Sequence, residues 1–239
     1  YITDGLVAWF DGEDATDENN RWNSRIGDDY IYVNGRCIGS ATTNPFVKSK
    51  YNNEVTNNFV YGYRTAQDYY NTGYTIEVVG RVTSKYNRNG DTGGWLIASN
   101  NSSGFGIGLT GDSGEIKFIN DSDITKEKVY TGYYNKTFGA SIYLNDVGTR
   151  DTSYKYNVLC SVNGENWYST IETKNANKTT MNNNFGLAVM CYYSEDGATR
   201  QSYAINGGVN CIRIYNRQLT NEELAYNHAI DKARFNLDE

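Results

Sequence analysis

The chain has 239 residues, a net charge of −6 at pH 7, and 22 Tyr, 8 Phe and 4 Trp supplying much of its apolar content. Its Lys and Arg are scattered and form no phosphate-neutralising stripe, which excludes nucleic acid as the expected partner. No apolar run reaches the length of a membrane span, so membrane insertion is not expected either.

The first element is Gly5–Phe10, a strand with Trp9 expected in the core, followed by the acidic, turn-rich stretch Asp11–Asn23. Tyr30–Val33, Asn34-Gly35 and Arg36–Ile38 read as a hairpin with a tight turn. Further strands are expected at Thr75–Val82, Trp95–Ala98, Phe105–Leu109, Glu115–Ile119, Val129–Tyr134, Ala140–Leu144, Tyr154–Val162, Trp167–Ile171, Phe185–Tyr193 and Val209–Tyr215. Asn163-Gly164 is a second candidate two-residue turn. Many short strands between turn residues, with almost no helix formers, give an all-β fold: an antiparallel β-sandwich or jelly roll. We expect one domain over residues 1–239.

One helix interrupts this pattern. Thr220 stands as N-cap with Glu223 three residues on, and Leu219 can pack on Leu224, which together make a capping box and a hydrophobic staple. The helix is expected over roughly 221–233, with Tyr226, Ala229, Ile230 and Ala233 as its apolar side.

The segments Asp4-Gly-Leu-Val-Ala-Trp-Phe-Asp-Gly12 and Ile212-Arg-Ile-Tyr-Asn-Arg-Gln-Leu-Thr-Asn-Glu-Glu-Leu224 resemble the two ends of a laminin G-like, concanavalin A-like domain of the bacterial or phage kind. Thr75–Val79 resembles that family's central strand, while Arg21-Trp22-Asn23-Ser24-Arg25-Ile26-Gly27 departs from its usual first turn. The resemblance implies a lectin-like or cell-adhesion module outside the cell: secreted, on a cell surface or on a virion tail. The start at Tyr1, without Met, reads as a mature or excised piece of a larger multidomain chain.

Catalysis is not expected. No Glu-x-Asp-x-x-Glu strand sets paired carboxylates on one face, and Glu77 stands alone on its strand. The single histidine, His228, lies in the helix without a nucleophile motif and reads as a surface or packing residue. Asp11, Glu13 and Asp14 open an oxygen-rich loop, continued by Asp17 and Glu18, that suits a structural Ca2+. A solvated acidic loop is the alternative reading. Cys37, Cys160, Cys191 and Cys211 show no metal spacing, and both buried thiols and disulfides remain open.

A glycan is the expected ligand, because aromatic rings stack on sugar C–H faces while Asn and Arg bond hydroxyls. The candidate contacts are Trp95, Trp167, the doublets Tyr133-Tyr134 and Tyr192-Tyr193, and Arg200. Within a strand only one member of a doublet can face the core. A cell-surface protein is the alternative partner, since Tyr-rich surfaces also bind proteins. A glycoside hydrolase or lyase is the third reading, since the same fold hosts such enzymes.

Overall fold

The computed structural model describes residues 1–15, 21–33, 47–48, 54–56, 60–62, 74–85, 93–99, 105–120, 122–123, 130–144, 154–173, 187–190 and 206–237. The described strands are β1 (Leu6–Asp11), β2 (Arg21–Asn23), β3 (Tyr30–Val33), β4 (Val47–Lys48), β5 (Val55–Thr56), β6 (Val60–Gly62), β7 (Tyr74–Val82) and β8 (Gly93–Ser99). They continue with β9 (Phe105–Thr110), β10 (Glu115–Asn120), β11 (Ser122–Asp123), β12 (Thr137–Leu144), β13 (Tyr154–Val162), β14 (Glu165–Thr173), β15 (Leu187–Val189) and β16 (Gly207–Tyr215). One helix follows, α1 (Asn221–Phe235).

The strands form two antiparallel sheets. Sheet A has the order β14-β13-β12-β7-β16-β5-β4, with β1 also paired to β16. Sheet B has the order β11-β10-β9-β8-β15-β6-β3-β2. Their inner faces meet in one apolar core. Sheet A contributes Phe10, Ile76, Val78, Phe138, Ile142 and Ile212, and sheet B contributes Trp22, Ile31, Leu96, Ile107, Ile116 and Phe118. The period of two along each strand sorts these residues from their outward neighbours.

Three expectations shift in the sandwich. Trp9 is not in the inter-sheet core: Ala8 and Phe10 take the inward positions of β1, and Trp9 faces outward against Tyr1, at 5.3 Å between ring centroids. Residues 130–133 join no sheet, and Gly132 has φ 79°; backbone bonds tie Tyr130 to Ile116, Gly132 to Ser113 and Tyr133 to Gly114. The strand expected at Phe185–Tyr193 is described only over Leu187–Val189, and Met190 leaves it with φ 59°. The Asn34-Gly35 hairpin lies outside the described residues, whereas Asn163 and Gly164 have φ 46° and 77°, as their two-residue turn requires.

The helix forms as its ends dictate. Thr220 Oγ1 accepts from Glu223 N at 3.2 Å and Glu223 Oε2 accepts from Thr220 N at 2.9 Å, so both halves of the capping box are present. Leu219 and Leu224 are buried in one cluster, as a staple requires. Its buried side is different from the expected one. Leu224, Asn227, Asp231 and Phe235 face the protein, while Ala229 and Ala233 are exposed and Tyr226 is 55% exposed. The reason is electrostatic: α1 covers the outer face of sheet A, where Arg213 and Glu77 are buried and need polar partners. Cys160 in the core and Cys211 beneath α1 are buried free thiols.

Candidate functional site

With α1 and the N-terminal residues over sheet A, the outer face of sheet B carries the candidate site. Its register runs as one row from Arg21 through Tyr32, Tyr61, Ala188, Ala98 and Gly106 to Ile119 and Asp123. A neighbouring row joins Trp95, Gly108 and Lys117. Arg21, Gly106, Gly108 and Lys117 alternate with the core residues Trp22, Ile107, Leu109, Ile116 and Phe118, so these positions lie on the side away from the core.

Trp95 is half-buried on this face, and glycine gives it its seat. A Cβ at Gly106 would fall 2.9 Å from Trp95 Cε3, so only a glycine lets the indole lie against β9 there. Gly108 serves a different purpose: a Cβ there would stand 2.1 Å from the carbonyl oxygen of Gly94, so it permits the close approach of β8 and β9. The result is an aromatic ring held against the sheet, with Lys117 beyond Gly108 in the same row. At the other end, the Arg21 guanidinium sits 4.0 Å from the Tyr30 ring centroid. Four strand steps separate β8 from β2, a distance of about 19 Å at ordinary strand spacing.

The other expected contacts are dispersed. Tyr133 meets Phe138 edge-on at 5.4 Å and packs on the core, with Lys136 Nζ 5.6 Å from its ring. Tyr134 packs on Gly114 and donates its hydroxyl to the carbonyl oxygen of Gly111 at 2.9 Å, and burial raises its pKa. Trp167 is in β14, paired in register with Cys160 of sheet A, so its strand is remote in the order from Trp95. Tyr192, Tyr193 and Arg200 lie outside the described residues. The glycine seat of Trp95 and the Arg21–Tyr30 pair were not anticipated; Gly-Phe-Gly-Ile-Gly over 104–108 is the sequence trace of the former.

The acidic loop converges, but on arginines. Arg234 donates to Asp11 Oδ1 at 2.8 Å and to Glu13 Oε2 at 3.2 Å. Arg25 binds Asp14 through Nε, Glu13 at 3.1 Å and Asp11 at 3.2 Å. The Asp14 bond, foremost among these contacts, raises the Arg25 pKa. Two guanidinium groups therefore engage the carboxylates of Asp11, Glu13 and Asp14. Among the described residues no group of three or more His, Cys, Asp and Glu side chains is placed to hold a metal ion.

On the opposite face a polar row crosses sheet A: Asn166, Ser161, Ser141, Glu77, Arg213 and Trp9. Arg213 Nε donates to Glu77 Oε2 at 2.8 Å, and its Nη1 donates to Asp231 Oδ1 at 2.8 Å. Asn227 Nδ2 donates to Glu77 Oε2 and to the Tyr215 hydroxyl, each at 2.9 Å. Tyr1 donates to Asp231 at 2.8 Å, and Ile2 N donates to Asn227 Oδ1 at 2.9 Å. His228 packs its ring against Gly164 of the β13–β14 turn. This network fastens α1 and the first residues to the sheet.

No family model and no curated protein matches the chain. Solved structures do share its fold. Trypanosoma rangeli sialidase in complex with sialic acid aligns with a TM-score of 0.63 and 13% identity, over 98% of this chain and 34% of that one. The binding domain of botulinum neurotoxin DC in complex with SialylT aligns with a TM-score of 0.55 and 17% identity, over 95% of this chain and 52% of that one. The chain thus spans about a third of the sialidase and half of the toxin domain. At such identities the likeness is one of fold, an antiparallel β-sandwich of the jelly-roll kind.

Proposed function

We propose that the chain is a non-catalytic glycan-binding module that lays its ligand across the outer face of sheet B, with Trp95 as the stacking platform. The observation that carries this reading is the glycine seat that holds Trp95 half-exposed against the sheet. A ring fixed in place loses little freedom on binding, and sugars pair such rings with hydroxyl-bonding groups. Lys117 shares its row, and Arg21 with Tyr30 extends the face.

The carboxylates that the fold brings together are held by arginines: Glu77 and Asp231 by Arg213, and Asp11, Glu13 and Asp14 by Arg25 and Arg234. Neither set offers the pair of working carboxyls that glycoside hydrolysis requires. Structures of this fold include proteins captured with sialic acid and SialylT, which favours acidic glycans as the first ligands to try. The module then belongs to a larger extracellular chain, secreted or displayed on a surface.

A glycan array run with wild type and Trp95→Ala, each with calcium and with chelator, tests this. Binding to a defined glycan that falls at least tenfold in the variant supports the reading. Binding to no glycan, or binding indifferent to Trp95, overturns it, and capture of a cell-surface protein in its place favours the adhesion reading.

A further inference from the structure

The strand at the edge of a sheet has one side of backbone N–H and C=O groups unpaired, and chains ordinarily blunt such edges. Most edges here are blunted. β4 and β11 have 2 residues each, and β2 has 3. Along β1, Trp9 N donates to Ser24 Oγ at 2.9 Å and Trp9 O accepts from Arg25 N at 2.7 Å, so the segment after β2 covers that edge.

β14 is the exception. It stands last in the order of sheet A and is 9 residues long. Its register with β13 runs from Val162–Glu165 to Tyr154–Thr173 without a shift, so no bulge turns the strand away. It holds no Lys, Arg or Pro. Among the described residues no strand pairs with its other side; β11 approaches it from sheet B but pairs with β10.

The hairpin fixes which groups are left over. The two-residue turn at Asn163-Gly164 makes Val162 and Glu165 a hydrogen-bonded pair, and such pairs alternate along an antiparallel ladder. The backbone groups of Asn166, Tyr168, Thr170 and Glu172 therefore point away from β13.

We propose that this edge pairs with β14 of a second copy of the chain, antiparallel about a two-fold axis at Ser169, so that sheet A runs on through both copies. The strand is complementary to itself in that register. Asn166 stands opposite the partner's Glu172, Trp167 opposite the partner's Ile171 and Tyr168 opposite the partner's Thr170, with no like charges opposed. The hydrogen-bonded pairs fall on the four residues whose backbone groups point outward. One strand pair is a small interface, so association depends on chain concentration. For a glycan-binding module the consequence is bivalence, with two Trp95 faces in one assembly. The edge shares no residue with the sheet B face, so either reading can fail alone.

Size exclusion with light scattering, over a range of chain concentrations, tests the proposal. We expect the mass to rise towards twice that of the chain. Thr170→Pro removes an outward N–H, leaves the β13 ladder intact and is expected to hold the mass at one chain. Should it not fold, Tyr168→Lys/Thr170→Lys, which sets like charges opposite each other, is the second variant. Ser169→Cys tests the register: on the axis the two cysteines form a non-hydrogen-bonded pair, whose Cα separation of about 4.5 Å suits a disulfide. Oxidation is expected to link copies of Ser169→Cys and not of Thr170→Cys. A wild type that stays monomeric up to millimolar concentration overturns the proposal, whether its edge is bare or covered by another segment or a foreign strand. So does a dimer that survives the edge variants, or one that Ser169→Cys does not link.

Discussion

Gly106 on β9 lies directly beneath the indole of Trp95 on β8, where a Cβ would come within 2.9 Å of the ring. Gly106→Ala should therefore lift the ring from its seat, at a cost of about 1 kcal/mol, because an indole can swing aside. Isothermal titration with the best glycan should show an affinity loss out of proportion to that cost. Gly108→Ala meets the Gly94 carbonyl oxygen at 2.1 Å, which backbone cannot yield cheaply. That variant should lose more stability than Gly106→Ala, read by urea unfolding.

Asp231 tests the network under α1. Asp231→Ala leaves the buried Arg213 with Glu77 but takes the carboxylate partner from its Nη1 and Nη2, and buried donors left unpaired cost about 1–3 kcal/mol. Replacing Glu77, Arg213 and Asp231 together by apolar residues of similar volume should cost far less than the single change, or nothing. Chemical denaturation of the two variants side by side reads the difference. A single variant as stable as wild type would show that the ion pairs do not hold the helix.

Glu54 sets a pH dependence. It is fully buried, and Arg81 binds it bidentately at 3.0 and 2.8 Å. Burial raises its pKa above 4.5, with Arg81 pulling the other way. A carboxyl whose folded pKa is raised holds its proton better folded than unfolded. Its contribution is therefore full below the unfolded value and is lost as pH rises through the folded one. Wild type should lose stability relative to Glu54→Gln across that window, measured by urea unfolding at a series of pH values from about 4 upward.

Arg234 and Arg25 bond the carboxylates of the acidic loop, so its stability is expected not to depend on metal. Millimolar calcium or a chelator should leave Tm unchanged in wild type. Arg234→Met removes two of the bonds to Asp11, whose side chain is fully buried, and should cost about 1–3 kcal/mol. A calcium-dependent Tm in wild type would mean that the ion displaces the arginines.

The helix was legible because its signals are local: Thr220, Glu223, Leu219 and Leu224 lie within six residues of one another. Its buried face was not. Asn227 and Asp231 look like solvent-side residues until Glu77, 150 positions from Asn227, comes to lie beneath them. The acidic loop was visible as a cluster of carboxylates, but Arg234 arrives from 223 positions away. Trp95 was legible as a candidate through its residue type, whereas its exposure depends on Gly106, a neighbour created only by the β8–β9 pairing. Tyr133 and Tyr134 are aromatic as well but do not share the face.

The pairing of β1 with β16 also sets a schedule. Tyr1 bonds Asp231 across 230 positions, and Trp9 finds its neighbour Arg213 only in the final strand. Sheet A cannot close on its central strands until β16 has been made. Contacts of such long range make folding slow, with strand edges exposed while the chain waits. A nascent chain cut before β16 should be protease-sensitive throughout sheet A, and the release of α1 is the event that ends the wait.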